Sequence, residues 1–417
     1  MKKPVRFALI GVGGFGEVHL STMEALERDG LIRLVAVADP NAGALAEVRT
    51  RLNARGVSWH LDYREMLHEK FDAVTIAAPI PFHYDMALRC IERDVFVYLE
   101  KPPVPLIQQL DALVKADVRR HVNVGFQWIQ SRGIGQLKDW IVQGQLGEIQ
   151  SIRVAACWPR PASYYRRANW AGKMELDGEA VFDGPATNAL AHLIHNIMYL
   201  ASPEPQSFAA PVEVRGEFYR ARRIESYDAA CLRGRFDSGL SFSAAVTHAT
   251  EQALPFQVEV SGTKGWARMA DDGSLLESSK CAAIDCSQSI LELFRNSYRH
   301  FIEFVRGERS RVSTQLGDSR GYVLATNGGL LSSGGIRQLD DRWIRSYRSD
   351  GDNSLDVRSL FQGVESSLKE GDLFSEQDIP WAATAKPVSL GNLHSIELPL
   401  PAETVPAKEA FEEAPCN

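Results

Sequence analysis

Gly11, Gly13 and Gly16 stand at the spacing G-x-G-x-x-G, a set of residues able to hold a pyrophosphate. Gly11 suits a tight turn, Gly13 lets backbone approach a phosphate, and Gly16 lets a helix pack closely on the preceding strand. Gly14 and Phe15 complete the same turn. The spacing alone is common, but here it follows the apolar run Val5–Ile10 and precedes a helical pattern from Glu17 onward. That order sets the free N–H groups and positive end of a helix against the phosphates. A second apolar run ends in Asp39, where a carboxylate could accept hydrogen bonds from a ribose 2′-hydroxyl; the other reading of Asp39 is the start of an Asp-Pro turn. The chemistry implied is dinucleotide binding. An acid at Asp39 would repel a 2′-phosphate, which favours NAD over NADP. No arginine follows it directly, though Arg51 stands on the next helix.

Such a turn needs a frame. Five runs, Val5–Ile10, Leu34–Ala38, Ala73–Ala78, Val95–Leu99 and Val122–Phe126, are apolar enough to be buried on both sides. Between them Tyr84–Arg93 and Leu106–Val118 repeat at helical spacing. The expected fold class is therefore α/β: a Rossmann, doubly wound parallel sheet over residues 1–125. From Gln127 the pattern changes to a helix (Leu137–Val142), a strand (Ile149–Ala156), a helix near Ala186–Leu200 and a series of alternating runs from Val212 to Met269. These predict an α+β domain over 126–335 with a large, mainly antiparallel sheet, beside which the helices Leu291–Val305 and Arg320–Leu331 should pack. Residues 336–417 form an extension expected to pack on that domain. Val357, Leu360, Phe361, Val364 and Leu368 predict one helix, begun at Asn353 or Ser354 and ended by Gly371. Ile396, Leu398 and Leu400 alternate like an edge strand, and the acidic, proline-bearing last residues are expected to be disordered.

Composition narrows the partners. Of 417 residues, 45% are apolar and 24% charged, and a net charge of −7 argues against nucleic acid and anionic membranes. Six cysteines have no zinc spacing, so no metal site is expected; reduced thiols in the cytoplasm are the simpler reading. The segment MKKPVRFALIGVGGFG reads as a strand entering a glycine turn, since Arg6 interrupts the apolar run a signal peptide would need.

Further motifs occur in order along the chain: Ala77-Ala78-Pro79 with His83, Glu100-Lys101-Pro102, Val124-Gly125-Phe126, Leu146-Gly147-Glu148-Ile149 and Gly262-Thr263-Lys264-Gly265. Together with the glycine turn they resemble the Gfo/Idh/MocA family of oxidoreductases, of the glucose–fructose oxidoreductase and inositol dehydrogenase type. The resemblance implies NAD as cofactor, with Ala78, Pro79, His83, Glu100, Lys101 and Gln127 along it besides the glycine turn and Asp39. It also implies a cis peptide before Pro102. Lys101, at a strand end facing the crevice, would donate to the reacting hydroxyl and favour a developing alkoxide. Family members carry an Asp and a His four residues apart on one helix, a spacing that shares a face. The corresponding run here is Asn188-Ala189-Leu190-Ala191-His192, followed by His195. His192 thus inherits the base role. Asn188 is a departure, since an amide supplies no charge to stabilise an imidazolium. His195 is either a stand-in that meets the substrate or a core histidine.

Upstream, Tyr164-Tyr165-Arg166-Arg167-Ala168-Asn169-Trp170 mixes rings with cations. Tyr165, Arg167 and Trp170 suit a sugar-like ligand, whose C–H faces stack while hydroxyls or a carboxylate take hydrogen bonds; an ordinary surface loop or subunit contact is the alternative. The expected activity is hydride transfer between nicotinamide and a secondary alcohol or ketone of a sugar, polyol or sugar acid. Two alternatives stay open: an NAD-assisted lyase or glycosidase working by transient oxidation, and a non-catalytic nucleotide-sensing regulator. A large sheet with one outward face predicts a homo-oligomer, dimer or tetramer.

Overall fold

A computed structural model describes residues 2–270 and 273–398. The first sheet has six strands: β1 (Val5–Ile10), β2 (Ile32–Ala38), β3 (Ser58–His60), β4 (Ala73–Ile76), β5 (Phe96–Leu99) and β6 (Val122–Val124). They are all parallel, in the order β3-β2-β1-β4-β5-β6. The strand order reverses between β1 and β4, which opens a crevice beyond their C-terminal ends. The glycine turn leaves β1 into that crevice, and Lys101 follows the end of β5. Strand β3 was not anticipated: three half-buried residues at a sheet edge carry neither a long apolar run nor alternation. Three of the expected strands are shorter than their apolar runs, because Ala77–Ala78, Val95 and Gly125–Phe126 belong to turns.

The second sheet has ten strands, mixed but mainly antiparallel, with Ile149–Cys157 near its middle. That strand pairs antiparallel with Leu254–Gly262 and parallel with Ser241–Thr247. One face packs on the helices Ala191–Ala201 and Arg320–Ser333. Small outward residues, Ala155, Cys157, Ala229, Cys231 and Ala245, line the other face and let a helix lie close. The extension fills it with Val357, Leu360, Val364, Leu373, Phe374 and Trp381. The extension thus covers the middle of this face, while Trp266 and the Arg268–Glu277 pair farther along it stay exposed or half-exposed.

Three expectations change in the last third. The helix Ile290–Val305 does not lie beside the second sheet; Phe294, Tyr298, Phe301 and Ile302 pack instead on Phe7, Leu9 and Tyr98 of the first. Its aromatic stripe explains why, since Tyr298 stacks on Tyr98 with ring centres 4.6 Å apart. The extension helix runs Leu360–Glu370 and ends at Gly371 (φ 85°), but Val357 belongs to a strand, Asp352–Val357, so the helix starts later than the apolar stripe suggested. Ile396 and Leu398 form no strand; Val388–Ser389 pairs with Glu213 and Val214 instead. Leu400 and the last residues lie outside the described residues.

Candidate active site

Sterics require two of the three motif glycines. A Cβ at Gly11 (φ 83°) would sit 2.7 Å from the Ala77 carbonyl oxygen, and one at Gly16 would sit 2.2 Å from that of Gly11. Gly13 differs: a Cβ there would make only ordinary contact, 3.7 Å from Leu45, so nothing in the protein excludes it. The helix Gly16–Arg28 has no side-chain cap, which leaves its positive end for an anion. Asp39 is buried and organises the turn, accepting from Val12 N (2.8 Å), Gly13 N (3.2 Å) and Asn41 N (2.8 Å). A carboxylate has about four acceptor sites, so one remains for a ribose hydroxyl. The turn reading of Asp39 therefore holds, and it leaves room for the other. Arg51 is ion-paired to Glu24 on the first helix.

At the end of β5 the acid and the lysine turn opposite ways. Glu100 is buried: one oxygen meets His19 Nε2 at 3.1 Å, and the other accepts from Lys101 N at 3.1 Å. Burial pushes its pKa up, but the His19 contact, its charge and the Lys101 charge outweigh that and hold it below the ordinary value. His83 is likewise committed, with Nδ1 2.8 Å from Pro102 O and Nε2 2.8 Å from Ala78 O. Glu100 and His83 were expected along the cofactor; their polar atoms instead brace the strand end and tie the Ala78–Pro79 turn to the cis peptide Lys101–Pro102. Their reason is local, since a buried charge or imidazole needs partners inside the protein.

Lys101 Nζ donates to Asn188 O (3.0 Å) and Asn188 Oδ1 (3.2 Å). Asn188 does not share a regular helix with His192. It lies on a π-helical turn, Pro185–Ala189, and the helix proper begins at Ala191. Asn188 Nδ2 donates to Asp183 Oδ1 at 2.8 Å. Asp183, which the sequence reading missed, is fully buried; its other oxygen accepts from Gly172 N (2.7 Å) and meets Arg167 at 3.3 Å. The fold presents it by force: Phe182 is left-handed (φ 49°), and Gly184 has no side-chain room because a Cβ would sit 2.3 Å from the Tyr227 ring.

His192 and His195 part company. His192 is buried with Nδ1 lacking a protein partner, edge-on to Phe126 and near Trp128. Its pKa is held well below the ordinary value by burial, then by the Lys101 and His195 charges. His192 therefore lies within electrostatic reach of Lys101. His195 has no exposure, lies on Phe126, and burial pushes its pKa down to about 3. It is a core histidine, not a substrate contact. Gln127 is buried with Oε1 unpartnered, as a residue waiting for a ligand would be.

The aromatic loop reaches the same place. The Arg167 guanidinium lies 3.9 Å from the Tyr164 ring centre and 4.6 Å from that of Trp170, while its charge lies near enough to Lys101 to depress that amine. Tyr165 OH meets the buried His248 Nδ1 at 3.0 Å. His248, Trp128 and Asp183 gave no signal in the sequence beyond a turn or an apolar run.

A Rossmann turn with an acid after β2, a lysine after β5 and a histidine on a second-domain helix define an NAD-binding oxidoreductase. The uncapped helix, the glycine turn and the orphan amide of Gln127 fit that cofactor. The chain belongs to the Gfo/Idh/MocA oxidoreductase family: residues 5–127 match its NAD-binding Rossmann domain and residues 134–268 its C-terminal domain. It is 24% identical over 331 residues to an inositol 2-dehydrogenase/D-chiro-inositol 3-dehydrogenase of Halalkalibacterium halodurans, covering 77% of this chain and 88% of that one. It is 23% identical over 329 residues to a scyllo-inositol 2-dehydrogenase (NAD(+)) of Bacillus subtilis, covering 76% and 90%. Among solved structures, the WlbA dehydrogenase of Bordetella pertussis, in complex with NADH and UDP-GlcNAcA, superimposes with a TM-score of 0.67 at 24% identity, covering 79% of this chain and 96% of that one. A levoglucosan dehydrogenase in complex with NADH gives 0.68 at 18% identity, covering 79% and 97%. No helix among the described residues is long and apolar enough to cross a membrane.

Proposed function

We propose that this chain moves a hydride between NAD(H) and a secondary alcohol or ketone of a sugar, polyol or sugar acid. The reading is carried by the Lys101 ammonium at the crevice and the neutral His192 imidazole that lies within its electrostatic reach. Bound NAD supplies the hydride acceptor. Lys101 donates to the reacting oxygen and stabilises negative charge as it develops there. His192, kept neutral by its surroundings, takes the hydroxyl proton. Asn188 holds the ammonium, while Tyr165, Arg167 and Trp170 face the remaining hydroxyls or a carboxylate. Ala78, Pro79 and Gln127 lie along the cofactor with the glycine turn, and the names of the relatives supply the first substrates to try.

The test is NADH formation with inositols, free sugars and sugar acids, each run with the wild type and His192→Ala. Oxidation of one class that depends on His192 supports the proposal; equal rates in both proteins overturn it. Turnover by protein purified with bound cofactor, without added NAD, would point instead to transient oxidation. Titration with NADH and NADPH checks the Asp39 argument, and tighter NADPH binding sinks it. The free cysteines among the described residues, four buried and Cys281 exposed, support a reducing, cytoplasmic setting. The extension covers part of the outward sheet face, so the homo-oligomer expectation now rests on the strands beyond it, where Trp266 is exposed.

A further inference from the structure

An ammonium drawn out of water needs an anion nearby, or it gives up its proton. The Lys101 side chain is half-buried, and the oxygens it touches belong to the uncharged Asn188. The amide is polarised from behind. Its NH2 faces the Asp183 carboxylate at 2.8 Å and its oxygen faces the ammonium at 3.2 Å, so the three groups form one chain of hydrogen bonds, each oriented by charge. We infer that Asp183 is a positioning residue for the reaction: through Asn188 it keeps Lys101 charged and aimed at the reacting oxygen, doing from position 183 what an acid at position 188 would do directly.

Several other groups face the same amine. Burial lowers the Lys101 pKa, Glu100 and then Asp183 raise it, and Arg167 lowers it. His192 and His83 also lie within its field. The charge of Glu100 acts on the amine more strongly than that of Asp183, but its oxygens are tied to His19 and the Lys101 N–H, and Arg167 offsets part of Asp183 through the contact at 3.3 Å. Asp183 in turn raises the pKa of Tyr164, Tyr165 and Tyr227, although burial is the larger cause for each. An acid at both 183 and 188 would set two carboxylates within hydrogen-bond reach, where one holds a proton. The asparagine at 188 is therefore the consistent partner for an acid at 183.

The inference rests on the reading of Lys101 as the donor to substrate, but its test needs no substrate. The full-length protein is labelled briefly with acetic anhydride across a pH series, and acetylation of Lys101 is followed by peptide mass spectrometry. In Asp183→Asn the midpoint should fall by about one pH unit or more, seen as a roughly tenfold faster labelling at a fixed pH below it. Asp183→Ser, which keeps an oxygen acceptor without the charge, should shift it the same way and guards against loss of fold in either variant. The double variant Asp183→Asn with Asn188→Asp should bring the midpoint back to the wild-type value or above, with NADH affinity unchanged in all. Wild-type titration of Lys101 in both single variants overturns the inference, as does a double variant that titrates like Asp183→Asn. If instead no alcohol is oxidised by the wild type, the redox reading fails while this result stands.

Discussion

His195 lies flat on Phe126, with ring centres 3.8 Å apart and planes within 3°. Neither ring nitrogen has a protein partner, and burial holds the pKa near 3. The unfolded chain binds that proton near pH 6.5, so stability from this group is present above pH 6.5 and is lost as pH falls toward 3. The loss is about 2 kcal/mol at pH 5. His195→Phe keeps the stack and removes the titration. The variant should melt higher than the wild type at pH 5 and show less than half that advantage at pH 7.5. A Tm difference independent of pH would contradict the assignment.

His192 must be neutral to accept a proton, and its pKa is depressed by burial first, then by Lys101 and His195. Since a lowered value keeps the ring neutral further into acid, the acid limb of kcat/KM for alcohol oxidation should lie below the ordinary histidine range. His192→Ala should lower kcat by roughly a hundredfold or more while leaving NADH affinity within about twofold. An acid limb at or above the ordinary value would place the proton acceptor elsewhere.

The glycines separate folding from binding. Gly16→Ala puts a Cβ 2.2 Å from backbone and should lower Tm and abolish NADH binding together. Gly13→Ala meets nothing closer than 3.7 Å in the protein, so Tm should hold while NADH binds at least about tenfold more weakly, because the methyl occupies the side from which a pyrophosphate approaches. Fluorescence titration and thermal melts of the two variants decide this. A Gly13→Ala protein with wild-type affinity would move the phosphates away from the turn.

The parts legible in the sequence were those with short-range causes. Gly16 is required by the Gly11 backbone and Gly11 by its own positive φ, and β1, β2 and β5 are apolar runs broken at most by one arginine near the start. Asp183 was illegible because Asp-Gly-Pro reads as a turn. Its partner chain joins residues 87 positions apart, Lys101 and Asn188, which no local spacing reveals. The covered sheet face was legible in principle: Ala155 and Cys157 alternate with Val154 and Ala156, which are also buried, so both faces of that strand are apolar. What periodicity could not supply was the identity of the cover, since a partner and an extension bury the same side chains. Likewise His192 and His195 are one helical turn apart, and the fold alone decides that one meets the crevice and the other the core.

The extension also reaches the aromatic loop. The hairpin Ile344–Ser349 and Asp352–Val357 sets Asp352 against it, accepting from Ser163 N at 2.7 Å and pairing with Arg166 at 3.5 Å. The bonds from Ser163, and then from Asn353, hold the Asp352 pKa down to about 2, so this brace is fully ionised and pH-independent at any working pH. Because the carboxylate is partly exposed, its effect should be modest and confined to the loop it touches. Asp352→Ala frees the start of the segment that carries Tyr165, Arg167 and Trp170, while Lys101 and His192 sit on other elements. The expected result is a KM for the alcohol raised about three- to tenfold, with kcat and NADH affinity close to wild type, since only loop ordering is lost. Steady-state kinetics in both substrates read this directly. An equal fall in kcat with KM unchanged would mean that the hairpin acts on the reacting centre and not on the loop.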